Sequence, residues 1–297
     1  MIVGFDVGGT NARALLIDPS TGDVLDSALA SSAGDGPHLV ATLAGLVDEM
    51  RTGSGHPVDA AGVGVAGLAH RSGVVRYSPN LPDLVEFPIG PELENALGVP
   101  VNVGNDATAG TWAEAKLGAG RGSDNFAFVA LGTGIGTGFV LDGRLVQGAS
   151  GFAGESGHMV VDAHGPEHIT GQRGPWEYFA SGTALGRMGR EAADAGRFDR
   201  GRVLAGSAEA ITGHHVAGAA ADGDPGAILV LDGFCREVAR GVANLVLVLD
   251  LERIVLGGGL ADIGEPLRSG VGTWLGELLV GADHRPTVEV VLAELGP

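Results

Sequence analysis

Three short stretches of the 297-residue chain are glycine-rich turns of a kind that suits a bound phosphate. In "DVGGTNAR" a strand-like run ends at Asp6 and turns through Gly8, Gly9, Thr10 and Asn11. Glycines in such a turn let backbone N–H groups approach an anion closely, and Thr10 and Asn11 add donors. Asp6 is placed to organise a hydrated Mg²⁺, which keeps several of its waters and takes only one or two carboxylates. "GTGIGTG" repeats the device at Gly132, Thr133 and Gly134, and "LGGGLAD" offers a third turn at Gly257, Gly258 and Gly259. That third turn leads into an expected helix, whose start suits a nucleotide. Three glycine turns after three apolar strands make nucleotide binding the leading class of function. Neither common nucleotide motif fits. A P-loop needs GxxxxGK[ST], and the one lysine, Lys116, lies in "AEAKLGAG". A dinucleotide fingerprint needs its GxGxxG to open a helix, whereas "GTGIGTG" runs into the strand-like "FVLD".

The elements that must position these turns alternate between strand and helix. "MIVGFDV", "ARALLID", "DAAGVGVAG", "VPVNVG", "FAFVALG", "GTGFVLD", "ERIVLGGG" and "TVEVVLA" are short apolar or alternating runs ended by Gly or Asp, as strands should be. The clearest helix is "DPGAILVLDGFCREVARGVANLVLVLD": Asp224 suits its cap, Pro225 its first turn, and Leu231, Phe234, Val238, Val242 and Leu245 recur on one face. The pattern predicts an α/β protein. "GGTNARALLID" and "GTGIGTGFVLD" align without a gap, so two lobes of related architecture are expected, each presenting a turn to a shared cleft. "SPNLP" and "ALGVPVNVGND" are rich in Pro and Gly and mark the expected crossing, giving a small lobe over 1–108 and a large lobe over 109–297. Segment 197–225 reads as an irregular surface excursion on the second lobe.

Composition narrows the partners. With 36 acids against 18 bases the formal charge is −18, which disfavours nucleic acid and anionic lipid. Cys235 is the single cysteine, so no internal disulfide forms and a reducing compartment is the default. The chain opens directly on "MIVGFDV", without a signal-like segment or an apolar run of spanning length. A cytoplasmic protein is expected.

Taken together, "DVGGTNAR", "NDATAG", "LGTGIGTGFVLDG", "GASGFAGESGHM", "RGPWEYFASGTAL" and "IVLGGGLAD" resemble, in order and spacing, the ROK sugar kinases, and within them the bacterial ATP-dependent glucokinases. The resemblance runs over nearly the whole chain. It implies the two-lobed actin-like ATPase fold, RNase H-like and hexokinase-type, with an interlobe cleft that closes on sugar and MgATP. It also implies roles. Asp106 resembles the catalytic base that takes the proton from the sugar's primary hydroxyl, and Asn105 a sugar hydrogen-bonder. The same pair equally suits the cap of the helix "DATAGTWAEAKLG". Glu155, His158 and Glu177 match the residues that contact ring hydroxyls, since a carboxylate can accept from two vicinal hydroxyls. Gly67 and Asn80 match segments near the sugar. Glucose phosphorylated at the 6-hydroxyl is the leading substrate; mannose, N-acetylmannosamine, N-acetylglucosamine, fructose and allose stay open, as does a sugar sensor without kinase activity. Relatives of this kind are often homodimers. They also continue into a last helix where this sequence stops at "VVLAELGP".

One stretch departs from the family. Its relatives bind a structural zinc through a histidine, matched here by His158, and the three cysteines of a CxCGxxGCxE loop. In "HITGQRGPWE" those cysteine positions hold His168, Thr170 and Pro175. Proline has no ligating side chain and threonine is a poor zinc ligand, so no structural zinc is expected. Gly171, Gly174 and Glu177 keep the pattern, and Pro175 and Trp176 are expected to give by packing the rigidity that zinc gives elsewhere.

Overall fold

β1 (Ile2–Val7) alternates as a half-buried strand should, with Val3, Phe5 and Val7 in the core and Asp6 exposed. The structure, a computed structural model, describes residues 1–296. The chain forms two units: Met1–Gly110 with Val146–Gly154, and Thr111–Leu145 with Glu155 to the end of the described chain.

In the first unit β1 turns into antiparallel β2 (Asn11–Ile17), which pairs with β3 (Val24–Ser31). α1 (Gly36–Ser54) starts at Asp35, whose carboxylate accepts the His38 N–H at 3.0 Å, and stops at Gly55 in the left-handed region. Its buried face, from Leu39 through Leu43 and Val47 to Met50, packs toward β2 and β3. β4 (Ala60–Val65) runs parallel to β1, and a small hairpin follows, β5 (Leu68–His70) and β6 (Val74–Tyr77). After α2 (Ile89–Leu97), β7 (Val101–Asn105) pairs parallel to β4 and closes a five-stranded sheet of order β3-β2-β1-β4-β7. α3 (Asp106–Leu117) follows at once, and the chain leaves the first unit inside this helix, between Gly110 and Thr111.

The second unit repeats the plan. β8 (Phe126–Leu131), β9 (Ile135–Leu141) and β10 (Arg144–Leu145) are antiparallel neighbours. After α4 (Trp176–Ala180), α5 (Gly182–Asp194), α6 (Asp199–Ala205), α7 (Gly213–Ala221) and α8 (Pro225–Leu249), β11 (Arg253–Gly257) pairs parallel to β8. α9 (Glu265–Leu278) leads to β12 (Glu289–Leu292), parallel to β11, for a sheet order β10-β9-β8-β11-β12. Both sheets therefore hold their strands in the order third, second, first, fourth, fifth. The echo between "GGTNARALLID" and "GTGIGTGFVLD" is the first antiparallel turn of each sheet. α8 is capped as its sequence suggests, with the Asp224 carboxylate accepting the Ala227 N–H at 2.9 Å and all five expected apolar residues buried.

Three expectations change. "SPNLP" is no crossing between units; it lies within the first, where Leu81 N–H reaches Ser78 O at 3.3 Å and a short 3₁₀ turn, Pro82–Leu84, follows. Segment 197–225 is not an irregular excursion, because it holds α6 and α7 and buries Phe198, Ile211 and Val216. These helices are too short and too rich in Gly and Ala to show a helical period. The third glycine turn enters a 3₁₀ turn, Gly259–Ile263, and the α-helix begins only at Glu265.

Candidate active site

In the first unit the turn after β1 closes through a Gly8 N–H bond to Asn11 O at 3.0 Å. It is braced from the end of β3, where Ser32 Oγ donates to Gly8 O at 2.6 Å and Ser32 N–H to Thr10 O at 3.1 Å. A Cβ on Gly9 would stand 2.7 Å from Asn80 O, so only glycine lets the "SPNLP" backbone lie against this turn. Thus Gly8, Gly9, Thr10, Asn11 and Asn80 form one cluster.

Asn105 and Asp106 sit where β7 gives way to α3. Asn105 Oδ1 accepts the Thr108 N–H at 3.1 Å, which caps the helix, while its Nδ2 donates to Gly67 O at 3.2 Å. One N–H and one lone pair of that amide stay available to a ligand. Asp106 Oδ1 accepts the Ala107 N–H at 2.8 Å. Its side chain remains accessible to water, yet the protein crowded around the carboxyl raises its pKa above the ordinary carboxylate range. The negative charge of Asp6 adds to that rise, and the Ala107 bond opposes it. The structure therefore brings Gly67, Asn105, Asp106 and Asp6 together. Asp6 and Asp106 offer hard carboxylate oxygens, a donor set that fits Mg²⁺ with its own waters.

In the second unit Glu155 and His158 bracket a 3₁₀ turn, Ser156–His158, with His158 N–H bonded to Glu155 O at 3.1 Å. Their side chains, 40% and 42% exposed, face each other with Nε2 and Oε2 3.8 Å apart. Glu177 lies in the first turn of α4. Its Oε2 accepts the Ile135 N–H at 2.8 Å, and a Cβ on Gly134 would come within 2.3 Å of the same oxygen. The loop between these residues is strapped by a Val161 N–H bond to Gly174 O at 2.9 Å and by Trp176 N–H to Met159 O at 2.8 Å. Trp176 is fully buried, donates Nε1–H to Glu237 O at 3.0 Å, and packs on Gly241. The donors of this loop do not suit zinc: His168 turns both ring nitrogens to protein partners, Thr170 Oγ1 and Glu177 Oε1, and Pro175 offers none.

A cavity of about 470 Å³ lies within the second unit, lined in part by Gly132, Thr133, Gly259 and Leu260. The rest of its wall lies outside the site residues expected from the sequence. Gly182 and Thr183 open α5, Thr212, Gly213 and His214 open α7, and Gly186 and Arg190 lie further along α5. Two helix N-termini facing one cavity favour an anionic ligand. Gly182 N–H reaches Gly132 O at 2.7 Å, Thr183 Oγ1 donates to Thr133 O at 2.9 Å, and Arg190 Nη1 donates to Ile211 O at 2.7 Å. The usable signal is "SGTAL", a serine cap before glycine and threonine; "TGHH" lies inside segment 197–225, whose pattern reads as irregular. Gly134, Gly257 and Gly258 are not on this wall. Gly134 serves the Glu177 contact, and Gly257 packs against Phe128.

The profile of the ROK family matches residues 2–297. A glucokinase of Streptomyces coelicolor is 34% identical over 305 aligned residues, covering 100% of this chain and 93% of the relative. A glucokinase of Thermotoga maritima is 34% identical, covering 99% of this chain and 92% of the relative. Among solved structures, a ROK family glucokinase from Streptomyces griseus in complex with glucose and AMPPNP superposes with a TM-score of 0.86 at 33% identity, covering 99% and 95% of the two chains. With its paired sheets of one strand order, the two-lobed actin-like α/β fold and a family match over nearly its whole length, the chain belongs to the ROK family.

Proposed function

We propose that the protein transfers the γ-phosphoryl group of ATP to the 6-hydroxyl of glucose. The observation that carries this reading is Asp106, a water-accessible carboxyl with a raised pKa at the start of α3, flanked by Asn105 and Asp6. A raised pKa makes the carboxylate a better proton acceptor, which is what attack by a neutral hydroxyl requires. Asp106 takes the proton of the 6-hydroxyl as its oxygen attacks the phosphorus, and Asn105 holds a neighbouring hydroxyl through its free N–H and lone pair. Glu155, His158 and Glu177 hold ring hydroxyls, Glu177 being oriented by its bond from Ile135 N–H.

The nucleoside of ATP occupies the cavity at the starts of α5 and α7, and its phosphates take N–H groups from the glycine turns. Asp6 would hold Mg²⁺ through water, and the cation would supply neutralisation of phosphate charge. Phosphoryl transfer is mostly positioning and charge stabilisation, so the contribution of these residues is geometric as much as acid–base. The relatives named glucokinase support glucose over other hexoses. A strongly acidic chain with one buried cysteine fits a cytoplasmic enzyme of carbohydrate metabolism whose hexose 6-phosphate feeds glycolysis.

The test is ADP release with MgATP over glucose, mannose, N-acetylmannosamine, N-acetylglucosamine, fructose and allose, with Asp106→Asn beside the parent. Turnover highest on glucose and lower by about 10²- to 10⁴-fold in the variant is expected. An Asp106→Asn enzyme as fast as the parent would remove the base from this mechanism, and a faster hexose would replace glucose as the substrate.

A further inference from the structure

Two of the three positions where the family places zinc thiolates carry side chains that are joined to the hexose-holding carboxylate in another way. Thr170 Oγ1 lies 3.0 Å from His168 Nδ1, and His168 Nε2 lies 3.4 Å from Glu177 Oε1. The other carboxylate oxygen, Oε2, is taken by Ile135 N–H at 2.8 Å. His168 and Glu177 are 12% and 20% exposed, so this contact is shielded from most of the competing water. The two contacts are compatible with one tautomer, in which Nδ1 accepts from Thr170 O–H and Nε2–H faces the carboxylate. The backbone holds the histidine in place, with His168 N–H on Gln172 O at 2.8 Å and Gly171 N–H on His168 O at 2.9 Å. Gln172 Nε2 donates in turn to His158 O at 2.7 Å, so one loop supports both the histidine and the glutamate assigned to the sugar.

We propose that His168, backed by Thr170, is a positioning residue that gives this loop, by a different contact, rigidity of the kind zinc gives its relatives: it fixes the Oε1 side of Glu177 while Ile135 N–H fixes the other. Zinc would have to be ligated by the atoms this arrangement consumes. A carboxylate held at both oxygens keeps two further lone-pair directions for vicinal hydroxyls and does not rotate away when the sugar leaves. The proposal rests on the assignment of Glu177 to the hexose.

Steady-state kinetics on His168→Ala, His168→Gln, Thr170→Val, Glu177→Gln and the His168→Ala/Glu177→Gln double variant test it, with metal analysis of the purified parent. His168→Ala is expected to raise the KM for glucose about tenfold, the scale of one lost hydrogen bond to a charged group, with kcat and the KM for ATP near parent values. His168→Gln, whose amide N–H can occupy the place of Nε2–H, is expected to recover most of that loss. In the Glu177→Gln background His168→Ala should add nothing. Should His168→Ala not fold, Thr170→Val carries the test, since it keeps the shape and removes only the hydroxyl; a threefold or so rise in glucose KM is expected. An unchanged glucose KM in the His168 and Thr170 variants, equal damage from Ala and Gln, or stoichiometric zinc in the parent overturns the proposal. A Glu177→Gln enzyme with parent glucose KM overturns the assignment of Glu177 itself, and is told apart from the other outcomes by that single variant.

Discussion

The glycine turns at 8–10 and 132–134 occupy the same place in two sheets of the same strand order, yet they are held by different chemistry. The first is pinned by backbone and a serine: Ser32 binds Gly8 O, and the Asn80 backbone lies against Gly9. The second is pinned by an acidic side chain, because Glu177 accepts the Ile135 N–H just past the turn and crowds Gly134. A repeated backbone thus leaves each unit free to attach different residues. The first unit ties its turn to the scaffold and carries Asp106, the proposed base; the second ties its turn to Glu177, the residue proposed to hold the sugar.

The largest effect expected from this division is on Asp106, whose replacement by Asn is expected to lower turnover by about 10²- to 10⁴-fold without preventing folding. A carboxyl whose folded pKa is raised binds its proton more tightly in the native state than in the unfolded chain. Native stability therefore falls as pH climbs from the ordinary carboxylate range through the raised value, and the full penalty remains above it. Asn never ionises. Asp106→Asn is expected to melt at higher temperature than the parent at neutral pH, with the difference shrinking on acidification below the ordinary range; thermal melts at several pH values check it. The acid limb of kcat/KM in the parent should likewise lie above the usual carboxylate pKa.

The two turns themselves can be broken separately. A methyl group at Gly9 meets backbone, Asn80 O at 2.7 Å, which has no rotamer to yield; Gly9→Ala should cost about 1–3 kcal/mol in denaturant unfolding and lower kcat with it. At Gly134 the methyl meets the tip of a flexible side chain, Glu177 Oε2, which can swing aside and surrender its bond to Ile135. Gly134→Ala should cost less stability and raise the glucose KM. Equal effects on both parameters would erase the distinction between a scaffold-held and a side-chain-held turn.

Part of this was legible before the structure. α8 announced itself through Asp224, Pro225 and a long apolar stripe, and the shared turn through its gapless echo. β3 did not, because it is an edge strand whose Val24, Leu25 and Leu29 face solvent, so no inward alternation marks it. The wall of the cavity at Thr212, Gly213 and His214 was hidden by the shortness of α7. The bond from Ile135 to Glu177 spans 42 positions, and nothing local at either end signals it. Motifs carry residue types and spacings along one segment; which carboxylate meets which turn is a property of tertiary packing.

A smaller effect separates two carboxylates of the second unit that hold backbone. Glu114 is 2% exposed and accepts N–H groups from Ala119 at 2.7 Å and from Leu295 at 3.0 Å, tying the segment after β12 to α3. Glu114→Ala would remove the buried acceptor of these part-buried bonds, at about 1–2 kcal/mol, with Leu295 the first amide to lose hydrogen-exchange protection. Glu252 does similar work in the open, accepting from Ser123 Oγ, Asp124 N–H and Asn125 N–H, and these bonds lower its pKa. Its contribution is present above the ordinary glutamate pKa and is lost as pH falls through the lowered one, so Glu252→Gln should matter less and only outside strong acid.

The smallest expected effect concerns the close fit behind the second sheet. The first unit fills its core with Leu, Val and Met side chains from α1 and α2, in one cluster that runs from Val3 to Val103. Between α8 and α9 the second unit instead brings backbones near each other over small residues: a Cβ on Gly270 would stand 2.7 Å from Cys235 Sγ. Burial pushes the Cys235 thiol up to about 12, with the charge of Asp232 adding to the rise. Thiolate is the reactive species, so native protein should stay unlabelled by a maleimide at neutral pH and label fully once unfolded in denaturant. Cys235→Ala should leave kinetics at parent values and cost about 1 kcal/mol, since the sulfur fills space and makes only long, weak contacts to Pro266 O and Leu267 O at 3.9 Å. Rapid native labelling would mean that α8 and α9 part readily, and that the second unit's small-residue packing is looser than the first unit's side-chain core.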